Sequence, residues 1–95
     1  MTDPRAAIAT RAVTVNAPVY STSHGLPRLW PNSYSLKVEV HERYVNIVGD
    51  SEGLRGLATQ LLALAADDVP SGYADDLDDL GELDAGSVQL TIIRR

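Results

Sequence analysis

Cysteine and phenylalanine are both absent from the 95 residues, and one tryptophan, Trp30, with four tyrosines makes up the whole aromatic complement. Without cysteine there is no disulfide, no thiolate metal site and no cysteine nucleophile. Without phenylalanine the core has to be aliphatic. Nowhere is there an apolar run long enough to span a membrane, and the opening Met1-Thr2-Asp3-Pro4 lacks the basic n-region of a signal peptide, so a cytoplasmic location is expected with no membrane partner. Basic residues are few and scattered: eight Lys and Arg stand against thirteen Asp and Glu, for a formal charge of -5. Neutralising phosphates needs clustered Lys and Arg, so nucleic acid is not an expected partner. What is present, 44% hydrophobic and 22% charged residues, is the composition of a folded chain. A chain this short buries little more than ~60% of its unfolded surface and supports a single globular domain.

The charge is strongly segregated. Asp67, Asp68, Asp75, Asp76, Asp78, Asp79, Glu82 and Asp84 lie in one stretch without a single base, while the rest of the chain carries eight bases against five acids. A segment of this kind repels nucleic acid and attracts basic proteins or cations, which makes these eight residues the candidate partner-binding set.

The most legible segment is Asp50 to Ala66. Leu54, Leu57, Ala58, Leu61, Leu62 and Ala65 recur at i, i+3, i+4, i+7 and i+8, which predicts an amphipathic helix buried on that stripe, with Arg55, Gly56, Thr59, Gln60 and Ala63 opposite. Asp50 or Ser51 can cap it, and the helix is expected to end near Asp67, before Pro70. Upstream, Leu36, Val38 and Val40 alternate with polar residues, and Tyr44 to Val48 follows after only His41-Glu42-Arg43, which predicts an antiparallel hairpin. Downstream, Tyr73 to Leu77 reads as a weak strand and Val88 to Ile93 as a firm one. Residues 1–34 are a separate N-terminal segment: a short helix over Arg5–Ala9 after Asp3-Pro4, an edge strand over Val13–Val19 with Pro18 at the edge, and an irregular loop over 21–33. Residues 35–95 form the core. The expected fold class is α+β, a small mainly antiparallel sheet with one amphipathic helix packed on one face.

Candidate chemistry is thin. Asp76, Asp78, Gly81 and Asp84 fall at positions one, three, six and nine of a calcium-loop frame, but Leu80 takes position five and Ser87 stands where the bidentate glutamate belongs. Leu77, Leu80 and Leu83 instead read as anchors tying the acidic loop to the core. Adjacent Asp-Asp pairs point different ways and no aromatic pocket surrounds them, so a hydrolytic carboxylate pair is not supported. His24 and His41 lack metal-ligand spacing, and Gly49, Gly53 and Gly56 do not match the dinucleotide fingerprint; they read as turn geometry and close packing. No metal, cofactor or enzymatic activity is expected. Trp30, between Leu29 and Pro31, is either a core plug or an interface anchor and joins the partner-binding candidates.

From Leu36 to Arg94 the sequence resembles family thirty-two of the bacterial polymorphic-toxin immunity proteins. The residues that carry the resemblance are Val45-Asn46-Ile47-Val48-Gly49-Asp50, the helix start Glu52-Gly53-Leu54, the run Leu57-Ala58-x-x-Leu61-Leu62-x-Leu64-Ala65, and Leu83-x-x-Gly86-Ser87-Val88-x-Leu90-x-Ile92. The family pattern places histidines in the strand after the helix, where this chain has Ala74-Asp75-Asp76-Leu77-Asp78. The resemblance implies a cytoplasmic antitoxin that binds one cognate toxin domain and blocks its active site or substrate entry. An acidic loop suits a toxin whose own face is basic, as a nuclease's must be. The readings that compete with it are a structural or homodimeric interaction domain, joined through an uncovered sheet face or edge, and a calcium-binding module.

Overall fold

Gly49-Asp50 is where the chain passes from hairpin to helix, and the packing around this point fixes most of the architecture. In the computed structural model, which describes residues 7–95, the order is β1 (Leu36–His41), β2 (Tyr44–Gly49), α1 (Ser51–Leu64), β3 (Ala74–Leu77) and β4 (Leu90–Ile93). The helix start at Asp3-Pro4, and part of the helix expected over Arg5–Ala9, lie outside the described residues. The α+β class read from the sequence is the class observed.

β1 and β2 pair antiparallel from Leu36↔Gly49 to His41↔Tyr44, closed by the two-residue turn Glu42-Arg43. Glu42 sits there at φ +45°, a conformation that costs a side-chain-bearing residue energy. β3 and β4 form a second antiparallel pair, Ala74↔Ile93 to Leu77↔Leu90. The expected single sheet is therefore divided into two two-stranded ladders. The seam between them has a physical cause: the chain from Asp84 to Val88 runs along the outer edge of β1 through a Gly86 turn at φ +85° and cannot make a regular ladder. It contributes two backbone bonds, Asp84 N–H to Leu36 O at 2.7 Å and Val88 N–H to Val38 O at 3.0 Å. Between these, Val38 N–H donates to Ser87 Oγ at 3.1 Å.

Helix α1 starts as its sequence predicts, with Asp50 as the cap accepting from Gly53 N–H at 2.8 Å. Its buried face differs from the leucine stripe. Gly53, Gly56, Leu57, Gln60, Ala63 and Leu64 are inside, whereas Leu54, Leu61 and Leu62 are exposed. Five of these six, 53, 56, 57, 60 and 64, each lie one residue before a position of the expected stripe, a rotation of about 100°. Close approach explains it: a Cβ on Gly53 would lie 2.0 Å from Ser35 O, and one on Gly56 would lie 2.7 Å from the Trp30 ring. Only the small-residue face lets the helix backbone come this near to β1 and the loop, and Leu57 and Leu64 then fill the space beside it.

The core consists of two clusters bridged by Ile92. Leu36, Val38, Leu57, Leu77 and Leu83 form one, flanked by Trp30 and Tyr34; Leu26, Ala63, Leu64 and Val69 form the other, flanked by Ala17, Tyr20 and Tyr73. The second depends on the N-terminal segment, whose expected strand over Val13–Val19 does not form. Pro18 has no N–H to give a ladder, and Val13 and Val19 face solvent while Ala17 and Tyr20 pack inward. Among the described residues no helix is long and apolar enough to cross a membrane.

Candidate functional site: the acidic edge

β3 and the turn from Asp78 to Asp84 carry six of the eight acidic candidates, but they are not equivalent. Asp75 alternates inward on β3 and is 5% exposed. Arg28, from the N-terminal loop, reaches it: Nη2 lies 3.3 Å from Asp75 Oδ1 and donates to Asp76 O at 3.0 Å, while Nη1 pairs with Glu82. One guanidinium thus ties the loop, β3 and the turn together, using its planar fork on three oxygens. Asp75 is an internal group of the fold, with Oδ2 buried and without a hydrogen-bond partner.

The turn itself is pinned at both ends. Leu77 and Leu83 are buried as the sequence predicts. Leu83 N–H donates to Asp78 O at 2.9 Å and Leu80 N–H to Asp78 Oδ1 at 3.0 Å. Tyr34 Oη donates to Glu82 O at 2.6 Å, and Ser35 Oγ to Asp84 Oδ2 at 2.6 Å. Burial, aided by the charges of Glu82 and Asp84, pushes the Tyr34 hydroxyl above its ordinary pKa. Asp76 accepts from Thr91 Oγ1 at 2.6 Å. Among the described residues no three His, Asp or Glu side chains are grouped as a metal site would require.

Leu80 departs from its expected place. It is not an anchor: it is 95% exposed, at the tip of a turn held rigid beneath it. An apolar side chain that far out is left almost wholly in water. The surrounding sequence, Asp78-Asp79-Leu80-Gly81, gives a turn signal that sets Leu80 apart, which reading the three leucines alike as anchors overlooks. Around this tip Asp76 and Asp79 are exposed; Asp67 and Asp68 are also exposed, in the turns after α1.

Trp30 belongs to a different face. Its ring stacks on Tyr34 with centroids 5.4 Å apart and lies against Gly56, so it covers the larger core cluster. It also forms one wall of an open cleft of about 360 Å³ between the N-terminal segment and α1, lined by Val15, Leu29, Arg55 and Thr59 among others.

Compared with known families, residues 44–95 match the pattern of Immunity protein 32. That span is more than half of the chain. The protein belongs to the Immunity protein 32 family. No curated protein and no solved structure matches the chain. The part shared with the family runs from β2 to the C-terminus and includes α1, the acidic turn and both strands of the second ladder. β1, Arg28 and Trp30 lie before it. In this immunity protein the family segment therefore supplies the acidic turn, while residues preceding it supply the cation that holds the turn in place.

Proposed function

We propose that the chain is a non-enzymatic antitoxin that neutralises one cognate protein toxin, with the acidic turn as its contact surface. Leu80 enters an apolar site on the toxin, and Asp67, Asp68, Asp76 and Asp79 meet basic side chains around that site. Asp78, Glu82 and Asp84 shape the turn, and Asp75 acts from inside by holding Arg28. Trp30 adds a smaller contact at the rim of its cleft. The observation that carries this reading is the exposure of Leu80 on a turn fixed from below, since a preformed apolar tip beside carboxylates needs little ordering on binding. Family membership supplies the kind of partner. A nuclease toxin fits the charge: it presents a basic face to nucleic acid, and carboxylates opposite that face speed encounter and exclude substrate. The setting is the cytoplasm, where such a toxin would reach its target.

The test is growth rescue. The toxin domain encoded beside this chain is induced in a bacterial host, alone, with the native chain, and with a variant carrying Leu80→Ala together with Asp67→Asn, Asp68→Asn, Asp76→Asn and Asp79→Asn. Protection by the native chain and failure of a folded variant is expected. Full protection by the variant would remove the acidic turn from the interface.

A further inference from the structure

Two residues before Arg28, the backbone of the N-terminal loop is bonded to the chain just ahead of β3. Ser21 and Gly25 first form an isolated antiparallel bridge, Ser21 N–H to Gly25 O at 3.0 Å and Gly25 N–H to Ser21 O at 2.8 Å. This closes a tight loop through Thr22-Ser23-His24 and leads into Leu26, which is buried in the second core cluster. Leu26 N–H then donates to Tyr73 Oη at 2.8 Å, across 47 residues of sequence. Gly25 stands at φ +70°, and a Cβ there would lie 2.8 Å from Tyr73 Oη, so the hydroxyl uses space that only a glycine leaves open. Pro27 has no N–H, which makes Leu26 N–H the last backbone donor before that of Arg28 itself. The contact of Gln60 Nε2 with Pro27 O is longer, at 3.5 Å.

Tyr73 is fixed in its turn. Its ring meets Tyr20 edge-on with centroids 5.5 Å apart. Its C=O accepts from Arg94 N–H at 2.8 Å and its N–H donates to Pro70 O at 3.2 Å, which ties it to the end of the β3–β4 ladder. β3 begins at the next residue. Leu26 and Arg28 therefore bond to one short stretch of chain, Leu26 to Tyr73 and Arg28 to Asp75 and Asp76. Arginine has a long, flexible stem, so where its fork arrives depends on where its backbone is held. Tyr73 lies inside the segment matched to the family, and Leu26 and Arg28 lie before it.

We propose that Tyr73, through its hydroxyl, is a positioning residue for the acidic turn. It fixes the backbone from which Arg28 reaches Asp75 and Glu82, and Arg28 in turn fixes the turn that carries Leu80. The consequence for toxin binding rests on the acidic turn being the contact surface: a turn held in shape beforehand has less ordering left to do.

Amide hydrogen exchange on the full chain reads the turn without a partner. Leu83 N–H, which donates to Asp78 O at 2.9 Å, reports the turn, and the slowest amides of α1 report global unfolding. Tyr73→Phe keeps the ring and removes only the oxygen. It is expected to speed Leu83 exchange about two- to tenfold relative to the α1 amides, as loss of one hydrogen bond would. Arg28→Ala should also speed it, and the double variant no further than Arg28→Ala alone. A residue that held the turn by packing would add its effect in both backgrounds. Native relative exchange at Leu83 in Tyr73→Phe, an equal increase in both backgrounds, or loss of the folded state overturns the proposal. With the cognate toxin domain, Tyr73→Phe should weaken binding in the native background and leave it unchanged in the Arg28→Ala background. Affinity lowered by Leu80→Ala but untouched by Tyr73→Phe overturns it as well. If neither the Leu80 nor the Asp variants alter affinity while the exchange result holds, the acidic turn loses its role at the toxin and its positioning by Tyr73 stands.

Discussion

The β2 edge and the acidic turn divide the surface by chemistry. One exposes aliphatic side chains and bare backbone with no charge; the other exposes carboxylates around a single leucine. The two regions also differ in how they are held. The hairpin is local, closed by a two-residue turn, whereas the acidic turn depends on Arg28, Tyr34 and Ser35, groups more than forty residues earlier in the chain. An interface that must present a fixed shape to another protein gains from such cross-bracing, because less ordering remains to be done on binding. A strand edge needs no such bracing.

The bracing can be broken directly, and that change should have the largest effect. Arg28→Ala leaves Asp75 buried with no cation and is expected to cost about 2–3 kcal/mol in urea unfolding, less than a fully buried pair because Arg28 is half exposed. Arg55→Ala breaks only the surface pair with Glu52 and should stay within ~0.5 kcal/mol. Equal effects from the two would mean that the Arg28 pairing is not structural.

The rotation of α1 offers a second contrast. Leu57→Ala, on the buried face, is expected to cost about 2–4 kcal/mol, while Leu61→Ala on the outer face should cost under ~1 kcal/mol. Similar losses would mean the leucine stripe faces inward after all. This is where the sequence was least transparent. Its periodicity located the helix and its cap correctly, but counting apolar residues rewards Leu54, Leu61 and Leu62 and ignores the clearance that Gly53 and Gly56 give to Ser35 and Trp30. The hairpin and β4 were legible because their alternation has few competing readings; β3 was legible only weakly, because Ala74-Asp75-Asp76-Leu77 hardly alternates. The division of the sheet was not, since it depends on how Asp84–Val88 bonds to β1, a contact nearly fifty residues apart in sequence. The acidic residues were visible as a group; that Asp75 is internal and Leu80 external depends on strand register and a turn, which composition does not report.

Two smaller tests sharpen the same division. Tyr34 braces the acidic turn, and its hydroxyl is held above the ordinary pKa of 10.0, first by burial. The unfolded chain therefore loses this proton before the folded one, so the contribution is intact below about pH 10 and is lost as pH rises through the folded value. Tyr34→Phe should flatten that alkaline slope in thermal melts. At the hairpin, Glu42→Gly relieves the φ +45° conformation and is expected to stabilise by about 0.5–1 kcal/mol, with no effect on the acidic turn.

Affinity for the cognate toxin domain, measured for the native chain, for Leu80→Ala and for the variant with Asp67, Asp68, Asp76 and Asp79 changed to Asn, at low and high salt, tests the central claim most directly. Loss of Leu80 is expected to weaken binding by about 2 kcal/mol at either salt concentration, as for a leucine side chain buried on binding. Loss of the four carboxylates is expected to slow association and remove most of the salt dependence. Unchanged affinity and unchanged salt dependence in both variants would contradict the account and place the toxin elsewhere on the molecule.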